Sequence, residues 1–173
     1  RVLFRSQTLV DSGVYAVVGA ACSGASMAAN GVLSAVGIPM ISYASTNPGL
    51  SDASAYPMFY RNVPSDAIQG PAGADMMTDA GVADGALAVF GMTNDYGAGL
   101  ADAVVDAWGS DKLCDVGRYD YAETDTDFSA IADQMAASTT CTAVYLSSYI
   151  ADAALIIEAL NEAGWSGHIF GGD

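Results

Sequence analysis

A chain of 173 residues with 52% hydrophobic residues and a mean hydropathy of +0.31 can bury a real core, which excludes disorder. Twenty acidic against five basic residues give a formal net charge of −15, so the surface repels phosphate backbones and anionic lipid; nucleic-acid binding and membrane-surface docking are excluded on that ground. No apolar run approaches the ~18 residues of a membrane span, and the acidity reads as a solvated surface of the kind suited to a salty habitat.

Along the chain, apolar runs alternate with helical patterns. Residues 1–6, Arg1-Val-Leu-Phe-Arg-Ser6, break the pattern that follows and read as a non-native tail. From Gln7 onward the spacing predicts a strand at Val14–Val18, a turn Gly19-Ala-Ala-Cys-Ser-Gly-Ala-Ser26, a small-residue helix over Gly24–Val36, a strand at Pro39–Ser42 and an irregular stretch to about Ser65. There follow helix Asp66–Ala80, strand Gly85–Phe90, helix Gly97–Trp108, strand Val116–Tyr121, helix Asp127–Ala137, strand Ala143–Ser147, helix Ala151–Ala163 and strand His168–Phe170. Thr126 or Asp127 is placed to cap its helix, and Gly164 is a left-handed stop. The strands are apolar on both faces, as parallel strands covered by helices on both sides are. The fold class is therefore α/β.

The turn Gly19–Ser26 has the spacing of a G-x-x-x-x-G loop, but Ala25 and Ser26 stand where a phosphate loop needs Lys and Ser/Thr, so no nucleotide site follows. Two readings remain: tight packing of a small-residue turn, or a cradle in which Ser23 and free helix N–H groups hold a carboxylate. Tyr96 and Tyr149 each follow a strand, at the edge where open α/β sheets bind ligands; core packing is the alternative for either ring. Catalysis lacks parts: Ser23 and Cys22 are candidate nucleophiles, yet His168 is the only histidine and stands at a strand start, and no G-x-S-x-G or Cys-His arrangement occurs. Glu123-Thr-Asp-Thr-Asp127 lacks the glycine and the twelfth-position acid of a calcium loop and reads as a solvated turn and helix cap. Arg61 is expected to pair with acidic neighbours rather than with a ligand.

Tyr15 to Pro48, Tyr60-Arg61-Asn-Val-Pro-Ser-Asp66 with Gln69-Gly70, Asn94-Asp-Tyr-Gly-Ala-Gly-Leu-Ala101, Asp127-Phe128-Ser129 and Gly164 to Asp173 together resemble, in order, the type I periplasmic binding proteins of the branched-chain (Leu/Ile/Val) amino-acid group. The resemblance implies two Rossmann-like lobes with parallel sheets flanked by helices, lobe one being incomplete: 7–64 as part of lobe one and 65–173 as most of lobe two, with the first crossing at Asn62 to Ser65. It implies a fragment whose signal peptide is missing, from an exported protein of the periplasm or cell surface. The expected function is capture of a small amino acid between the lobes, as a monomer, for delivery to an ABC permease and its ATPase. No enzyme activity, cofactor or metal is implied.

Carried over residue by residue, Ser23, Ala44 and Thr46 would hold the ligand's α-carboxylate, Tyr96 and Tyr149 would wall the pocket from lobe two, and Asp173 would pair with the ligand's ammonium. Cys22 matches a position that in some members is bridged to an upstream cysteine. Cys114 and Cys141 each precede a predicted strand; started at the same edge of neighbouring strands, they can pair in an exported protein, the alternative being buried free thiols. The same scaffold also serves amide, urea or other small-molecule receptors and sensors; a serine hydrolase is the rival of another class.

Overall fold

The computed structural model describes residues 1–172. The chain divides into two compact units, Arg1–Ala67 and Ile68 onward, the division falling in the first turn of one helix.

In the first unit, helix α1 (Val2–Asp11) leads to strand β1 (Val17–Val18), helix α2 (Ser23–Leu33), strand β2 (Met40–Ser42) and strand β3 (Phe59–Arg61). Of residues 1–6, read from the sequence as a non-native tail, Val2 to Ser6 form the first half of α1 and Arg1 precedes it. The three strands form a parallel sheet in the order β1-β2-β3, with Val17, Met40 and Phe59 in one row and Val18, Ile41 and Tyr60 in the next. The first row belongs to a small apolar cluster in which Ala29 and Leu33 of α2, Ile38 and Met40 are buried and Val2, Val10, Val14, Val17 and Phe59 pack around them. The predicted strand Val14–Val18 shrinks to two residues, because β2 begins only at Met40 and offers Val14–Ala16 no ladder partner. The stretch expected to be irregular holds β3 and a 3-10 turn at Pro48–Ser51.

The second unit contains helix α3 (Asp66–Asp79, its first two residues before the division), then strand β4 (Leu87–Met92), helix α4 (Asp95–Trp108), strand β5 (Leu113–Tyr121), helix α5 (Ser129–Ala137), strand β6 (Ala143–Ser147), helix α6 (Ile150–Glu162) and strand β7 (His168–Gly171). All four strands run parallel in the order β5-β4-β6-β7. Every residue of β4 and β6 is buried, as continuous apolar runs in a sheet covered on both faces must be. Buried positions of α4 recur as Tyr96, Leu100, Val104 and Trp108, one apolar stripe facing the sheet. Asn94 caps this helix, its side-chain oxygen accepting from the Gly97 N–H at 2.7 Å. Helix α3 packs closely where it has no side chain: a Cβ on Gly70 would stand 2.5 Å from the Ala103 carbonyl group.

Two local expectations change in detail. Helix α5 begins at Ser129 rather than Asp127, and its N-cap is Phe128, which makes no side-chain capping bond; Asp127, one residue earlier, accepts from both the N–H and the hydroxyl of Ser129. Cys114 and Cys141 do not open neighbouring strands, because β4 lies between β5 and β6. They are nevertheless joined by a disulfide, with Cα atoms 5.2 Å apart. The reason is a break in register: between Leu87↔Leu113 and Val89↔Arg118, β5 advances five residues while β4 advances two. Cys114 falls in that excursion, free of the ladder, and Gly117 turns it back at φ +68°.

Candidate functional site

In the second unit the chain passes from β4 through α4 to β5 on one side, and from β6 through α6 to β7 on the other. The carboxyl ends of β4 and β6 are thus a topological switch point, the place where the following helices diverge and where open α/β sheets bind ligands. Tyr96 enters from the first turn of α4 and Tyr149 from the residue preceding α6, and their rings stack there with centroids 5.3 Å apart and planes 4° from parallel. Tyr96 is buried, whereas Tyr149 keeps 36% of its surface exposed. The expected pair of pocket-wall tyrosines is therefore one aromatic surface, whose outer face can cover an apolar group while the hydroxyls meet polar ones.

Sequence reasoning missed the groups that hold this surface. The buried Ser147 hydroxyl donates to the Gly97 carbonyl at 2.7 Å, tying the end of β6 to α4. The Tyr121 hydroxyl, at the end of β5, donates to the Ser148 hydroxyl at 2.6 Å. Burial, aided by the charge of Asp152, pushes the Tyr121 phenol up to about 12 against the opposing effect of its Ser148 bond, so it remains a protonated donor. At the end of β7, a Cβ on Gly172 would lie 3.3 Å from the Tyr96 hydroxyl and 2.5 Å from the Leu100 side-chain tip, so a larger residue there would push on both side chains. Asp173, expected to meet an ammonium, lies outside the described residues.

The first unit carries the other expected residues. Ser23 opens α2 with its hydroxyl accepting from the Asn47 N–H at 3.2 Å, and Thr46 and Ser45 are fully buried while Ala44 is exposed. Among the described residues the Thr46 hydroxyl oxygen is buried with no hydrogen-bond partner. A buried hydroxyl without a partner costs free energy, and a bound acceptor would remove that cost. The Thr46 carbonyl accepts from the Asp66 N–H at 2.9 Å.

The turn Gly19–Ser26 is shaped by hydroxyls that spacing alone did not single out. The Ala20 carbonyl accepts from Ser42 at 2.5 Å, from Ser26 at 3.2 Å and from Ser45 at 3.3 Å, and Ser45 also donates to the Ala21 carbonyl at 3.0 Å. Ser42 in turn accepts from the N–H groups of Ala44 and Ser45. The strand-end loop bearing Thr46 is thereby locked to the turn bearing Ser23. Arg61, expected to pair with acids, instead donates directly to the carbonyls of Ser45 (3.3 Å) and Asn47 (2.9 Å) and to the Ser51 hydroxyl. Burial lowers its guanidinium from the ordinary value, and the charge of Asp66 opposes that shift. It braces the same loop from the side.

His168 opens β7, at the amino edge of its sheet, and is exposed. In the stretch Glu123–Asp127, Glu123 accepts from the Asn94 amide, Asp125 from the Ala122 N–H at 2.9 Å and Asp127 from Ser129. Among the described residues one group of potential metal ligands occurs, Cys114, Asp115 and Cys141, and its two sulfurs are bonded to each other. Cys22 is a free, exposed thiol.

The sequence profile of the receptor family ligand binding region matches residues 2–170. Over 165 residues, 95% of this chain and 44% of the relative, the chain is 29% identical to Leu/Ile/Val-binding protein homolog 3 of Brucella melitensis. Over 68 residues, 39% of this chain and 8% of the relative, it is 47% identical to metabotropic glutamate receptor 6 of Rattus norvegicus. Among solved structures, the leucine binding protein LivK of Thermotoga maritima superposes with a TM-score of 0.88 at 25% identity, over 98% of this chain and 48% of that one. The branched-chain amino acid transporter substrate binding protein LivJ of Streptococcus pneumoniae, in complex with isoleucine, gives 0.83 at 26% identity, over 98% and 47%. The chain thus spans about half the length of these binding proteins and a smaller share of the receptor.

Proposed function

Because the chain belongs to the receptor family ligand binding region, with the parallel sheets and flanking helices of the type I periplasmic binding proteins, we propose that it is part of a solute-binding protein that captures a small amino acid, branched-chain or similar, for an ABC transporter. The observation that carries this reading is the stacked Tyr96–Tyr149 pair at the switch point of the second sheet. An aromatic face half open to solvent suits an apolar ligand body. The reading is supported in the first unit by groups that suit an α-carboxylate: the buried Thr46 hydroxyl, the Ser23 hydroxyl and the N–H groups at the start of α2. Asp173 would answer the ammonium.

The relatives named above differ in the side chain they are named for, glutamate in one case and leucine, isoleucine or valine in the others. What those ligands share is the α-amino acid zwitterion, the part that Ser23, Ala44 and Thr46 would read. The match to a receptor also supports a second reading, amino-acid sensing on the same scaffold without transport. In both readings the role is binding, with no covalent step, and the Cys114–Cys141 bridge supports an exported protein, where disulfides persist. Permease and ATPase partners, and a monomeric state, belong to the transport reading.

Calorimetric titration of a polypeptide containing this chain with L-leucine, L-isoleucine, L-valine, L-glutamate and neutral sugars tests the reading. Saturable heat with an L-amino acid is expected. Binding of neutral sugars with no response to amino acids would overturn it.

A further inference from the structure

We propose that Tyr121 is a positioning residue for the Tyr96–Tyr149 pair, acting through Ser148 rather than by touching a ligand. The part of this inference that concerns ligand binding rests on reading the pair as a pocket wall.

Only two residues, Ser148 and Tyr149, separate the end of β6 from the start of α6. Their placement therefore depends on what holds Ser147 and Ser148. Ser147 is fastened to α4 through the Gly97 carbonyl, on one side of the switch point. Ser148 is fastened to β5 by the Tyr121 hydroxyl, 27 residues away in sequence, on the other. With both neighbours tied, Tyr149 delivers its ring flat onto Tyr96.

Tyr121 is itself held hard. It is 2% exposed, and the Phe128 ring meets it edge-on, with centroids 5.0 Å apart at 84°. Phe128 is the N-cap residue of α5, held between Asp127 and Ser129, whose N–H and hydroxyl both donate to the Asp127 carboxylate. A tyrosine serving only to fill the core would be replaced by phenylalanine without consequence, because the ring and its packing are retained. A tyrosine that positions the loop would not, because the loss is a single hydrogen bond aimed at Ser148.

The test uses Tyr121→Phe, Ser148→Ala and Ser148→Thr in this chain. The pair's contribution to near-ultraviolet circular dichroism is the change produced by Tyr149→Leu, and it is measured with and without Tyr121→Phe as a double-mutant cycle. Most of that contribution is expected to vanish in Tyr121→Phe and in Ser148→Ala and to be retained in Ser148→Thr, which keeps a hydroxyl, while unfolding stays cooperative in all three. An unchanged pair signal in Tyr121→Phe overturns the proposal; if that variant does not fold, equal signals in Ser148→Ala and Ser148→Thr overturn it. Titration with L-leucine separates this inference from the functional reading. Loss of the pair signal with affinity lowered about three- to tenfold, the scale of one hydrogen bond, supports both. Loss of the pair signal with unchanged affinity supports the positioning role and removes the pair from the binding site.

Discussion

The Ser147 hydroxyl donates to the Gly97 carbonyl across 2.7 Å, joining two residues 50 positions apart at the switch point of the second sheet's strand order. Both residues are buried, so the Gly97 carbonyl has no easy substitute partner once the hydroxyl is gone. Ser147→Ala is expected to destabilise the second unit by about 1–3 kcal/mol, the cost of a buried group left unsatisfied. Urea unfolding of this variant beside the parent chain checks this, and an unaltered midpoint would mean that the bond contributes nothing.

Thr46→Val separates stability from binding. Its hydroxyl oxygen has no partner among the described residues, so the substitution is expected to leave the ligand-free chain as stable or slightly more so. In a polypeptide containing this chain, the proposed role of Thr46 as a donor to a ligand carboxylate predicts that affinity for an L-amino acid falls by about 1–3 kcal/mol. Ser23→Ala should lower affinity as well, but at a cost in stability, since the Asn47 N–H loses its acceptor. A Thr46→Val variant that unfolds readily and binds normally contradicts this assignment.

Thiol counting tests the bridge. Protein prepared without reductant and denatured is expected to show one reactive thiol, Cys22, and three after reduction. The bridge spans 27 residues, so Cys114→Ser with Cys141→Ser is expected to lose about 3–4 kcal/mol by the loop-entropy relation. Three thiols at the outset would refute the pairing.

Beside the bridge, hydrogen bonds donated by the Ser138 and Thr140 hydroxyls hold the Asp115 carboxyl below its usual range. A folded pKa depressed below the unfolded value of about 3.9 stabilises the protein above that value, and the contribution is lost as pH falls through the folded pKa. Ser138→Ala with Thr140→Val is expected to return Asp115 toward the ordinary value, read by a carboxyl-carbon NMR titration. A carboxyl that titrates identically in the double variant would show that the hydroxyls do not set it.

A net charge of −15 on 173 residues makes self-repulsion a general load on the folded state. Screening shortens its range from about 10 Å at 0.1 M salt to about 3 Å at 1 M. The thermal midpoint is therefore expected to rise between those concentrations of sodium chloride, and a flat or falling midpoint would count against the acidic surface as a salt-adapted one.

The alternation of apolar runs with helical patterns was enough to establish α/β architecture, because a parallel strand buried on both faces and a one-sided helix leave different residue patterns. Tyr96 and Tyr149 could be placed at strand ends from that alternation, and Ser23 and Thr46 could be placed on their turns. Strand β3 left no such trace: Phe59, Tyr60 and Arg61 form a three-residue edge strand, half exposed, too short for any periodicity to register. Strand order was equally invisible. That β4 separates β5 from β6 depends on long-range pairing, and it both created the switch point and required the register break that brings Cys114 to Cys141. The three serines on the Ala20 carbonyl, the direct partners of Arg61 and the Tyr121–Ser148 bond are contacts between residues 6 to 27 positions apart, made by side chains that are ordinary in their own local sequence. Local chemistry therefore determined which groups stand at the ends of strands, while only the packing of distant segments decided which of them meet.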